Sequence, residues 1–219
     1  MNDFPKTDLN RIKRKPMRGR YDRETIHQIL DEALICHIGF VEKGQPFVIP
    51  INFARIGDTL AFHGAGPSRL LKHIQAGLPV CVEVTVVDGL VLARSAFHHS
   101  INYRSVVVFG TGRIVKDRSE KMAALAAISE HIIPGRWREV RPPTLKEMNA
   151  TSVVCIQIDQ ASAKVRTGPP EDDPADYTLP VWAGVLPLEE TALTPVRDEL
   201  MTQDIPAPGY VTRYSRRKK

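Results

Sequence analysis

The sequence predicts a mainly β (α+β) fold, in which about six antiparallel strands close into a barrel or sandwich with flanking helices. Three observations predict it. Short β-rich runs follow one another across tight turns, the segment VCVEVTV alternates cleanly between two faces, and amphipathic helical stretches interrupt the strands instead of alternating with each of them. Closely spaced strands with such short connections disfavour a parallel sheet, whose crossovers need a dozen or more residues. With 219 residues, 42% of them hydrophobic, the chain suffices for one domain with a sizeable core and appendages.

The elements follow in order. A basic arm spans residues 1–21, after which Asp22 caps a helix carrying Ile26, Ile29 and Leu30 on one side. Leu34 to Val41, Pro46 to Ala54 and Thr59 to His63 form a meander, separated by turns at Lys43-Gly44-Gln45 and at 55–58. The stretch FHGAGPSRLLK then joins a strand end to a helix start through Gly64 and Gly66. Pro67 and Ser68 suit a first helical turn, and free N–H groups there favour an anion. Arg69 and Lys72 share one face of this helix, which runs to about Ala76, while Leu70, Leu71 and Ile74 mark its core side. The alternative is a glycine-rich turn before a helix whose cations are merely solvated.

In VCVEVTV, Val80, Val82, Val84 and Val86 occupy one face, and Asp88-Gly89 is expected to turn the chain. Leu90 to Ser95 and Tyr103 to Val115 are further strands. Asp117 and Glu120 open a helix through Met122, Leu125, Ile128 and Ile132, expected to lie across an open barrel face and to end at Pro134-Gly135. Thr144 to Asn149 reads as a helical turn and Val153 to Ile158 as another strand. Order is expected to decline from Pro169, although VWAGVLPL is apolar enough to dock. The organisation is thus an arm over 1–21, a domain over 22–188 and a tail with a basic end over 189–219.

Charge and composition narrow the classes. The net charge of +5 is concentrated at the ends: residues 1–23 and 205–219 each carry +5, and the body carries −5. The folded part therefore lacks the basic bias of a nucleic-acid binder. No run approaches a membrane span and the amino terminus has no apolar signal-peptide centre, so a cytoplasmic protein is expected. Cys36, Cys81 and Cys155 sit among aliphatic residues with no CxxC pair, which predicts buried free thiols. The pair His98-His99 has no surrounding cluster at metal spacing, so no metal site is expected.

VIPINF (48–53), FHGAGPSRLLK (62–72), DGLVLARSAFHHSINYRSVVVFG (88–110), PGRW (134–137) and AKVRTGPPEDD (163–173) together resemble the pyridoxamine 5'-phosphate oxidase-related FMN-binding split-barrel family, closest to its nitroimidazole-resistance branch. The resemblance implies a six-stranded antiparallel split β-barrel and a homodimer that binds FMN at the subunit interface. It implies that Ile51, Asn52 and Phe53 run along the flavin ring and that His63 sits beside it as the catalytic group. Ser68, Arg69 and Lys72 would reach the phosphate, and Arg104 and Ser105 would add polar contacts. Arg136 and Trp137 would come from the partner subunit, Lys164 or Arg166 would close the site, and Trp182 would either cover the ring or act as a docking plug. From the residues alone, Arg104 either anchors phosphate or pairs with a carboxylate, and His63 either relays a proton or only packs. The basic and aromatic grip of true vitamin B6 oxidases is not matched in the tail.

The implied function is an FMN-dependent oxidoreductase passing electrons to a small acceptor such as a nitro compound, quinone or oxygen, from an unidentified donor, since no nicotinamide-binding motif is apparent. A flavin carrier without turnover is the second reading. A haem protein on the same barrel, with His63, His73, His98 or His99 as axial ligand, is the third.

Overall fold

The computed structural model describes residues 3–66 and 68–216. Pro67 and the last three residues of the basic end lie outside the described residues. A two-residue strand, β1 (Gly19–Arg20), precedes helix α1 (Arg23–Glu32), whose N-terminus Asp22 caps by accepting from the Thr25 N–H at 2.8 Å. Ile26, Ile29 and Leu30 fall on one helical face and are each at most 1% exposed. Burial of that order is worth about 1.5–3 kcal/mol per side chain.

The meander follows as β2 (Ile35–Glu42), β3 (Gln45–Ile56) and β4 (Thr59–Ala65), then α2 (Arg69–Gln75), β5 (Pro79–Leu92) and β6 (Ser100–Ile114). Helix α3 (Arg118–Ile132), α4 (Leu145–Ala150), β7 (Thr151–Gln157), β8 (Gln160–Arg166), β9 (Gly184–Pro187) and α5 (Gly209–Thr212) complete the chain. Strands β2 to β7 close a six-membered ring in the order β6-β7-β4-β3-β2-β5, with β5 returning to β6. The barrel is split along β6: residues 103–109 pair with β8 while residues 112–114 pair with β7. Gly112 belongs at this divide because a Cβ there would lie 2.6 Å from the Ile74 side chain of α2.

Two expectations change. Asp88-Gly89 does not turn the chain: β5 runs through it with a bulge between Val87 and Gly89, so two expected strands are one. A Cβ on Gly89 would approach the Leu186 carbonyl to 2.9 Å, and this is where VWAGVLPL docks as β9. Strand β8, which the sequence pattern did not predict, covers the edge of β6 over residues 103–109.

The barrel interior is filled by Ile38, Phe53, Leu60, Phe62, Val82, Val84, Val106 and Val108, plugged by α1 and by Leu70, Leu71 and Ile74 of α2. A second, smaller core lies outside the barrel wall, where α3 crosses β3, β4 and β7. Among the described residues, no helix is long and apolar enough to cross a membrane. All three cysteines are free thiols, and burial raises each above its ordinary pKa.

Candidate functional site

Strand alternation decides where His63 goes. On β4, Leu60 and Phe62 point into the barrel, so Ala61 and His63 point out of it, opposite Cys155 and Val153 of β7. Helix α3 covers this outer face. Asp117 caps α3 by accepting from the Glu120 N–H at 2.8 Å, and Ala124 and Ile128 bury against the strands. The roof thus leaves His63 in the floor of a cavity of about 510 Å³.

The far wall is made by the chain after α3. Gly135, at φ 95°, allows the reversal. The Glu130 carboxylate then accepts from the Gly135 N–H at 2.6 Å and the Trp137 N–H at 2.9 Å, which folds the loop back and sets Trp137 against the cavity. Helix α4 closes the end. Its capping box, Thr144 with Glu147, turns Met148 inward to 3% exposure. Arg141 lies at the rim and donates twice to Glu147, at 2.8 and 2.6 Å, which pulls the Glu147 carboxyl down to about 2.

The resulting lining is apolar, dominated by Leu125, Ile128, Ile132, Trp137, Val140 and Met148. Within it, the His63 Nδ1 is buried and has no hydrogen-bond partner among the described residues. A buried polar atom without a partner costs about 1–3 kcal/mol, so this nitrogen is suited to a ligand that supplies one. Each of the other histidines considered as axial ligands has one ring nitrogen engaged within the chain. His73 donates to the Pro79 carbonyl at 3.0 Å, His99 to the Ser95 carbonyl at 2.8 Å, and His98 lies 3.4 Å from Asp173.

The remaining sequence-predicted residues fall into other places. Arg69 is half exposed, stacks 4.2 Å over the Phe47 ring and lies 3.4 Å from Glu42, while Lys72 is exposed and Ser68 caps α2 without a side-chain hydrogen bond. Phe53 and Ile51 face the barrel core and Asn52 the outside, so Phe53 serves packing and offers no side chain to a ligand. Arg104 stands at the centre of an ion-pair cluster, the second of the two readings left open by its sequence. It donates to Glu32 at 2.8 Å and to Asp88 at 2.8 and 2.9 Å, which raises its pKa and leaves an acidic surround unsuited to phosphate.

Ser105 donates weakly to the Lys164 carbonyl at 3.5 Å. Arg166 is 5% exposed and donates to Asn102, and burial lowers its pKa. Arg136 donates to the Tyr210 hydroxyl at 3.2 Å, and its neighbour Trp137 reaches His63's cavity within one chain, so no partner is needed to bring those two together. Trp182 is 68% exposed and rests against Gly184. Glu130, Arg141, Glu147 and Met148 were not anticipated; the T-x-x-E capping box at 144–147 was the available signal that fixes the orientation of Met148.

The family model for pyridoxamine 5'-phosphate oxidase matches residues 22–165. Among solved structures, the flavocytochrome Anf3 from Azotobacter vinelandii is 39% identical over 95% of this chain and 97% of its own, with a TM-score of 0.89. A FAD and haem binding protein from Mycobacterium smegmatis is 35% identical over 89% of this chain and 96% of its own, with a TM-score of 0.85. A chain from Bacteroides thetaiotaomicron, given as a candidate 5-nitroimidazole antibiotic resistance protein, shares the fold at 24% identity, 67% and 86% coverage and a TM-score of 0.58. No protein in the search of curated proteins matches.

Proposed function

The chain belongs to the pyridoxamine 5'-phosphate oxidase-like split-barrel family, and on that premise we propose that it is a flavin- and haem-binding oxidoreductase in which His63 would hold the haem. The observation that carries the haem is the unpartnered Nδ1 of His63 in an apolar cavity of about 510 Å³. That size lies within the roughly 300–1,000 Å³ of pockets that bury whole small-molecule ligands. The two relatives above one-third identity, one named a flavocytochrome and one named for FAD and haem, support the same pairing.

Bound haem and flavin together supply one-electron and hydride chemistry that side chains lack. The chain's own contribution is positional. His63 offers an imidazole nitrogen, and the surrounding Leu125, Ile128 and Met148 limit the access of water to it. Arg141 at the rim would meet a carboxylate of the macrocycle by exchanging its Glu147 partner. For the flavin, Arg69 and Lys72 remain the cations proposed for phosphate. The second copy expected from the sequence would cover the outer face of β2 and β3, where Val41 and Val48 are 55% and 67% exposed. The dinucleotide FAD is favoured over the FMN first expected because the Mycobacterium relative is named for FAD. The acceptor is a small molecule, oxygen included.

The test is absorption spectroscopy of the chain loaded with haem, with His63→Ala beside it. The parent should retain a sharp Soret band through gel filtration, and His63→Ala should lose it and regain it on adding imidazole. Equal Soret retention by both proteins would remove His63 as the ligand. Chromatography of the flavin released by heat separates FAD from FMN.

A further inference from the structure

Residues 193–204 form an arm that is anchored at both ends and apolar in the middle. Before it, the Leu188 N–H donates to the Asp88 carbonyl at 3.1 Å. After it, Tyr214 donates to the Ile132 carbonyl at 2.9 Å and Arg216 to the His131 carbonyl at 2.7 Å, which fastens the chain to the end of α3. Between these anchors Leu193, Val196 and Leu200 are 87%, 95% and 87% exposed. The arm is nonetheless folded: Arg197 donates to Asp204 at 2.8 Å and to the Gln203 carbonyl at 2.8 Å, and the Leu200 N–H donates to Asp198 at 3.0 Å. Among the described residues, its hydrogen bonds and ion pairs are all internal. An ordered segment with three aliphatic side chains in water has already lost its conformational entropy without burying them, which favours docking elsewhere.

Charge identifies the partner. Residues 193–204 hold three carboxylates and one arginine; Asp204 pairs with Arg197, while Asp198 and Glu199 have no ion-pair partner among the described residues. The strip 11–20 holds six Lys/Arg and no carboxylate. Met17 beside them is 74% exposed and Leu9 57%. Among the described residues, no hydrogen bond or ion pair joins strip and arm within one chain. Both lie outside the 22–165 core that the family model matches.

We propose that the acidic arm 193–204 of one copy clasps the basic strip 11–20 of a second copy, with Leu193, Val196 and Leu200 buried against Met17 and Leu9. A twofold arrangement makes the exchange reciprocal, so each dimer holds two such clasps. The clasp goes beyond the cofactor reading and stands or falls without it.

The test mixes ¹⁴N- and ¹⁵N-labelled full-length chains, couples carboxylates to lysines with a zero-length carbodiimide, and reads the cross-linked peptides by mass spectrometry. Mixed-label peptides joining Lys13 or Lys15 to Asp198 or Glu199 are expected. Sedimentation should show self-association weakened about tenfold or more by the triple change Leu193→Ser, Val196→Ser, Leu200→Ser, whose sites are too exposed to threaten folding. It should also weaken with salt as the charges are screened. Asp198→Lys with Glu199→Lys should weaken it similarly, and Lys13→Glu with Lys15→Glu added should restore it. Cross-links confined to single-label peptides, or variants that associate as tightly as the parent, would overturn the clasp while leaving the Soret result untouched.

Discussion

Replacing Glu130 with alanine tests whether one carboxylate builds the wall of the His63 cavity. Its two oxygens accept from the Gly135 and Trp137 N–H groups at 2.6 and 2.9 Å, and these bonds tie the reversal after α3 back onto the helix. Hydrogen bonds to a charged group are worth about 1.5–3 kcal/mol each, and the half-buried loop allows water to replace part of that, so a loss of about 2–3 kcal/mol is expected. In a chain of this size that lowers the Tm by about 4–10 °C. Glu130→Gln keeps one acceptor and should lose about half as much. The assay is thermal unfolding in a Trp182→Phe background, where Trp137 is the sole tryptophan and its quenching by acrylamide reports the wall. Glu130→Ala should melt early and expose Trp137. An unchanged Tm with unchanged quenching would refute the reasoning, because the loop would then be held by something other than the carboxylate.

Three further outcomes follow from the geometry. Gly112→Ala places a methyl 2.6 Å from the Ile74 side chain and 3.3 Å from the Cys155 carbonyl, so chemical denaturation should show a loss of about 1–3 kcal/mol, partly recovered by adding Ile74→Val; no loss would mean that α2 moves freely against β6. Arg104→Ala leaves Glu32 and Asp88 without the cation between them and should destabilise by about 2–3 kcal/mol, after discounting partial exposure, while flavin affinity stays constant; a selective loss of flavin would reinstate the phosphate-anchor assignment. His131 is depressed by burial while donating to the Ala33 carbonyl at 2.7 Å. Its folded pKa lies below the unfolded 6.5, so the unfolded chain takes up the proton first: stability is full above that value and declines as pH falls beneath it. His131→Gln should flatten the slope of stability between about pH 6.5 and 5, and an unaltered slope would assign it to other groups.

The barrel was legible because its signals are local. Turn residues at 43–45 and 55–58, the alternation through 80–86 and the caps at Asp22 and Asp117 each act within a few residues, and each fell where expected. Asp88-Gly89 misled because the same pair that turns a hairpin also makes a bulge, and the choice depends on β9 pairing from a hundred residues away. The cavity was less legible for a related reason. His63 stood out by its place beside the glycine turn, yet its face of the barrel depends on the register of β4 with β7, and its wall depends on Glu130 reaching past the end of α3. Arg104 shows the limit most plainly. Nothing in the local sequence around it announces Glu32, which α1 delivers from 72 positions away.

One strand links the two candidate ligand sites. Strand β4 sends Phe62 into the barrel and His63 out beneath α3, then ends at Ala65, and α2 begins at Arg69. His63, proposed to hold the haem, and Arg69, proposed for the flavin phosphate, are therefore separated by six positions of chain. The connection is rigid on the α2 side, where Leu70, Leu71 and Ile74 are at most 3% exposed within the barrel core and Gly112 admits Ile74 at close range. A tightly packed core transmits displacement instead of absorbing it. Repacking Ile74 should therefore disturb both sites, whereas changes on the α3 roof, such as Leu125→Ala, should disturb the His63 cavity alone. The separation follows from alternation: the residue that fills the barrel and the residue that faces the cavity are neighbours in sequence on opposite faces of one wall.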